Sequence, residues 1–124
     1  MEKIFIEGAK VPAGHYSPGV KTGNMIYVSG QLPIDPFTGE KSTGDIKEQT
    51  LRTLDNVRLV LESAGSCLEK IVKANIYIPD VAMWDEVNAV FKGYFGEHKP
   101  ARVIIPTREL HYGLLIEIDA IAEA

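Results

Sequence analysis

The stretch from Asp45 to Gly65 limits the fold more than any other. Ile46, Thr50, Leu54, Val57, Leu61 and Ala64 recur at steps of four and three, the period of a helix with one apolar stripe. Asp45 and Glu48 stand at capping-box spacing at its start, and Gly65 is a natural stop. A helix with a single apolar stripe must lay that stripe on another element, and the rest of the chain offers mostly strands.

"MEKIFIEG" alternates and ends at Gly8, so it reads as a short strand. The Gly/Pro-rich segment "AKVPAGHYSPGVKTGN" predicts a loop with a strand near Val20, and Gly23-Asn24 turns into the β-rich run Met25 to Gly30. A second loop, "QLPIDPFTGEKSTG", has a turn at Thr38-Gly39 and precedes the helix. Lys70 to Pro79 is the next strand. Asp80 is placed to cap a second helix, with Trp84, Val87, Phe91, Tyr94 and Phe95 along one face and Gly96 at its end. "ARVIIP" reads as a short buried strand between Pro100 and Pro106. "TRELHYG" is a turn, and "LLIEIDAIA" is the last strand.

This order predicts an α+β domain spanning residues 1–124, a mixed sheet with two helices on one face. Two helices with one stripe each cover only one face of a five- or six-stranded sheet. In the last strand Ile116, Ile118, Ala120 and Ala122 point one way, and Leu115, Glu117, Asp119 and Ile121 the other. Both faces carry apolar groups, so the second is expected to be covered by another copy of the chain.

Composition excludes several classes. With 45% hydrophobic and 24% charged residues the chain is neither disordered nor membrane-embedded in character, and no apolar run approaches the ~20 residues of a membrane span. Its 13 basic residues are scattered among 17 acidic ones, which speaks against a general grip on nucleic acid. The charged N-terminus does not read as a signal peptide, and a lone cysteine, Cys67, predicts neither a disulfide within the chain nor a cysteine metal cluster; the expected location is the cytoplasm.

The candidate chemistry begins with Arg102, a guanidinium set among Ala101, Val103, Ile104 and Ile105. A buried cation must be paired. One reading is a bridge to Glu117 or Asp119 on the next strand. The other is an anion clamp, since the guanidinium fork matches a carboxylate. Glu117, between Ile116 and Ile118, is either Arg102's partner or a proton-transfer group with a raised pKa. Tyr16 and Ser29 offer hydroxyls, and Gly30 an unencumbered backbone N–H; a packed surface aromatic is the plainer reading of Tyr16. His15, His98 and His111 lack metal-ligand spacing and read as single exposed histidines, although His111-Tyr112 leads toward Glu117. No phosphate loop, nucleophile elbow or dinucleotide fingerprint is present, so chemistry is expected to run without a metal or cofactor.

Taken together, "GNMIYVSGQLPIDPFTGE", "QTLRTLDNVRLVLESAG", "KANIYIPD", "VNAVFKGYF", "PAR" and "IEIDAIA" resemble the RidA (YjgF) family from about Ala13 to Ala122. The resemblance implies a chorismate-mutase-like fold and a homotrimer whose sheets form a central barrel, with pockets in the clefts between subunits. It implies hydrolysis of reactive enamines and imines, such as 2-aminoacrylate and 2-iminopropanoate, to a 2-keto acid and ammonia, a form of metabolite damage control. The family's substrate-holding arginine matches Arg102 and its glutamate Glu117. The tyrosine matches Tyr16, the serine-glycine pair Ser29 and Gly30, and the cleft asparagine Asn88. Many members carry a cysteine where this chain has Ile104, whose backbone N–H remains able to contact a carboxylate. "TRELHYG" also departs from the family. Two other readings stay open: a non-catalytic binder of small keto or amino acids, and an endoribonuclease or translation inhibitor.

Overall fold

Asp45 opens the longest element as its spacing predicts. In the computed structural model, which describes all 124 residues, its carboxylate accepts from the backbone N–H of Glu48 at 2.9 Å and starts helix α1, Ile46–Ser63. Beyond Ala64 the chain leaves the helix at Gly65, whose φ of +80° is a left-handed conformation that glycine adopts without strain. The second helix, α2, spans Trp84–Phe95. Asp80 caps a short 3-10 turn, Val81–Met83, that runs directly into it.

Six strands complete the chain: β1 Glu2–Ile4, β2 Gly19–Thr22, β3 Met25–Gln31, β4 Ile71–Ile78, β5 Ala101–Pro106 and β6 Glu117–Glu123. They form one sheet in the order β1-β2-β3-β6-β4-β5. All neighbours run antiparallel except β4 and β5, which are parallel and joined through α2. The expected α+β architecture with a mixed sheet is therefore present.

Both helices lie on one face. Leu54, Val57, Val60 and Leu61 of α1 and Val87 and Phe91 of α2 share a single buried cluster with Ile26, Val28, Ile76, Ile118 and Ala120 of the sheet. Each such aliphatic side chain removed from water contributes roughly 1.5–3 kcal/mol. The alternation in β6 is as read: Ile118, Ala120 and Ala122 are buried, while Glu117, Asp119 and Ile121 lie half-buried on the opposite, uncovered face. Lys73, Asn75 and Tyr77 of β4 share that open face.

Strand β5 corrects one expectation. It is not buried but forms the edge of the sheet, and the side chains of Val103 and Ile105 are exposed on the open face. Its apolar content reflects two flanks, one under α2 and one open. No helix is long and apolar enough to cross a membrane.

Candidate active site

Arg102 lies on the α2 side of β5, opposite Ala74 of the core face. Its Nη2 donates to Oδ1 of Asn88 at 2.9 Å. Its guanidinium carbon stands 5.5 Å from the ring centre of Trp84 and 5.2 Å from that of Phe91. Aromatic faces attract a cation, so the two rings hold the guanidinium without neutralising it. The chain's two salt bridges both belong to Arg58, and no carboxylate pairs with Arg102. Burial therefore works against its charge and lowers its pKa with nothing to compensate. A cavity of about 580 Å³ opens beside it, lined by Asn88, Phe91, Lys92, Phe95, His98 and Lys99 among others.

Trp84 and Phe91 were legible only as members of a helical face. Asn88, a polar residue between them at helical spacing, was the available signal that this part of α2 does more than pack. His98 departs from the expected exposed histidine: it is half-buried, and its Nε2 lies 2.9 Å from the carbonyl of Ile71. Ile104 follows Arg102 on the same side and packs against the core.

The second group of residues surrounds Glu117. Its carboxylate packs against Gly30, in the place where a Cβ would stand, so any larger residue at position 30 would push the Glu117 carboxylate aside. Gly30 lies in an irregular stretch of β3, where the register against β6 shifts between Val28 and Gln31. Burial pushes the Glu117 carboxyl above its ordinary value, and the nearby Asp119 pushes it further, against an opposing pull from His111. Asp119 is itself fixed, accepting from Asn75 Nδ2 at 2.7 Å and from the Tyr77 hydroxyl at 2.9 Å. The Ser29 hydroxyl donates to the carbonyl of Ser17, which leaves its lone pairs free to accept. Tyr16 is exposed and shares with Gly30 a cavity of about 320 Å³ that Tyr112 also lines.

These two groups do not meet within one chain. Strand β4 separates β5 from β6, Arg102 faces the helices, and Glu117 faces the open side. The bridge from Arg102 to Glu117 or Asp119 does not form. The expectation failed because it took the two strands as neighbours, whereas β6 inserts between β3 and β4. A cleft containing both Arg102 and Glu117 requires a second copy.

The family model for Endoribonuclease L-PSP matches residues 7–124. The chain belongs to this family, also known as RidA or YjgF. It is 49% identical to a RutC family protein of Pyrococcus abyssi, over 98% of this chain and 95% of that one. It is 39% identical to the 2-iminobutanoate/2-iminopropanoate deaminase of Escherichia coli, over 96% and 94% respectively. Its fold superposes on the YjgF gene product of E. coli with a TM-score of 0.92 at 38% identity, covering 99% of this chain and 98% of that one. Of the positions matched to RidA motifs, Asn88 on α2 lies beside Arg102 and Ile104 of β5, while Tyr16, Ser29, Gly30 and Glu117 cluster around the irregular end of β3.

Proposed function

We propose that this chain hydrolyses reactive 2-imino and 2-enamino acids to 2-keto acids and ammonia, without a cofactor, in clefts between the subunits of a homotrimer. The observation that carries this reading is the state of Arg102. It is a half-buried guanidinium between two aromatic rings, with one hydrogen bond to a neutral amide and no carboxylate partner. Four of its five N–H donors remain for a planar anion. A substrate's own carboxylate matches those donors, and the 39% identical relative is named for the chemistry proposed here.

Three copies pack their open faces together in this reading, which brings the Arg102 of one beside the Glu117 of the next. Arg102 grips the carboxylate, assisted by the backbone N–H groups of Gly30 and Ile104, and so fixes the imine carbon. Glu117 orients a water, or takes a proton from it, as its oxygen adds to that carbon. The carbon–nitrogen bond then breaks. Nitrogen leaves as ammonia, taking up the protons released, and the carbonyl forms. A hydroxyl from Tyr16 or Ser29 stabilises the tetrahedral centre.

The test is the disappearance of 2-iminopropanoate generated by an amino-acid oxidase. Arg102→Ala is expected to lower kcat/KM by about 100-fold or more, in line with ~3 kcal/mol of charge-assisted hydrogen bonding, while circular dichroism shows the fold retained. Full activity in that variant overturns the mechanism. Wild-type protein that binds pyruvate but leaves the imine untouched would be a binder and not an enzyme. The endoribonuclease reading finds little footing in a net charge of -4 with scattered cations.

A further inference from the structure

Beside the Glu117 group lies a feature that hydrolysis of a three- or four-carbon monocarboxylic imine does not use. Tyr112 is the one non-glycine residue with a positive φ, at +61°. A non-glycine side chain in that region is uncommon and carries strain, which persists where surrounding structure holds it. The strained turn, His111–Gly113, projects the Tyr112 ring into a defined stack. The His111 ring meets it edge-on with centroids 3.7 Å apart, and the Lys41 ammonium rests over it at 4.4 Å from the centroid. Lys41 makes no ion pair, so its charge is uncompensated. Lys41, Tyr112, Tyr16 and Gly30 are walls of the same cavity of about 320 Å³. Lys10, the other cation there, likewise makes no ion pair, but its Nζ donates to the carbonyl of Thr38 at 3.2 Å, and Asp35 accepts from the backbone of Phe37 and Thr38.

We infer that this cavity is a side-chain subsite, in which Lys41, propped on Tyr112, receives a second carboxylate, so that the preferred substrates are dicarboxylic 2-imino acids. The inference rests on the imine-hydrolase reading. In that geometry the reacting carbon lies beside the Glu117 carboxylate, Gly30, which packs against that carboxylate, lines the cavity, and the Lys41 ammonium stands on its wall. A cation over an aromatic face is held in place while its remaining N–H donors stay available, and a compact point charge suits a single carboxylate. The reaction is the same hydrolysis: water adds, ammonia leaves, and the product is a dicarboxylic 2-keto acid. The supplier of such a substrate is a reaction that oxidises an acidic amino acid at its α-carbon.

The experiment compares imines generated in situ from glutamate and from alanine, using wild-type protein, Lys41→Met and Lys41→Arg. Wild type is expected to favour the glutamate imine. Lys41→Met is expected to lose about tenfold in kcat/KM on that imine, through KM, and to change less than twofold on the alanine imine; Lys41→Arg restores most of the loss. Lys41 is exposed and pairs with Ile34 through its backbone, so these variants keep the fold. Turnover of the alanine imine without preference for the glutamate imine, or equal losses on both, overturns this inference alone. A wild-type protein inert toward both imines overturns the preceding reading and this one with it.

Discussion

At the scale of single residues, the proposed chemistry depends on how neighbours set the proton affinity of Glu117. Burial and Asp119 both favour its protonated form; Asp119 stays in place because Asn75 and Tyr77 hold it, and its bond to Tyr77 in turn raises the tyrosine's pKa. Glu117 works in the proposed reaction as a carboxylate, so kcat/KM is expected to fall on the acid side with an apparent pKa above the ordinary 4.5. Asp119→Asn removes the repelling charge, and the acid limb should then move to lower pH in a kcat/KM profile. An unmoved limb would mean that Asp119 only shapes the sheet face. For stability the sign is opposite to that of a salt-bridged acid. The raised affinity favours folding below 4.5, and this contribution is lost as pH rises through the folded value.

Among the elements, α1 shows what periodicity makes visible and what it hides. Its cap, its stripe and its stop were all legible, because each is set by local backbone geometry and by a single repeating face. The roles of its buried amides, Asn56 and Gln49, are not, because they bond to loop backbone outside the helix. Asn56 is 2% exposed and donates to the carbonyls of Leu32 at 3.0 Å and Ile34 at 2.8 Å, while Arg52 donates to its Oδ1 at 2.8 Å. Gln49 likewise donates to Gly44 and accepts from the N–H of Leu115 at 2.8 Å. Asn56→Ala would orphan the Ile34 carbonyl and the Arg52 guanidinium at once, while the Leu32 carbonyl keeps the Ile34 N–H at 2.7 Å, for an expected loss of ~2 kcal/mol of stability, read as a lower denaturant midpoint with an unchanged slope. Strand order was hidden for a similar reason. Alternation assigned the faces of β4, β5 and β6 correctly, yet nothing in these short runs states which strand inserts between which. Arg102, Glu117, Tyr16, Ser29 and Gly30 stand out by residue type and place in the sequence, and Asn88 and Ile104 by family motif, while their division into two groups comes only from the topology.

For the whole molecule, that division makes assembly part of the proposed chemistry. Arg102 and Glu117 sit on opposite faces of one sheet, and the open face bears exposed Val103, Ile105 and Tyr27 around the Asn75–Asp119–Tyr77 network. A face of this mixed character is suited to a symmetric contact in which each copy lends one group to its neighbour's cleft. Two inactive variants separate this arrangement from a site complete in one chain. Arg102→Ala retains Glu117, and Glu117→Ala retains Arg102. Mixed, unfolded together and refolded, they should form clefts in which an intact Arg102 meets an intact Glu117. Random assembly from equal amounts restores roughly one cleft in four, so about a quarter of wild-type activity should return in a rotationally symmetric ring. Neither variant recovers on refolding alone, and light scattering should find both at the mass of a trimer. Absence of recovery in mixtures that assemble normally would place both groups in one subunit's site, which their positions on opposite faces of the sheet do not permit without refolding of β5.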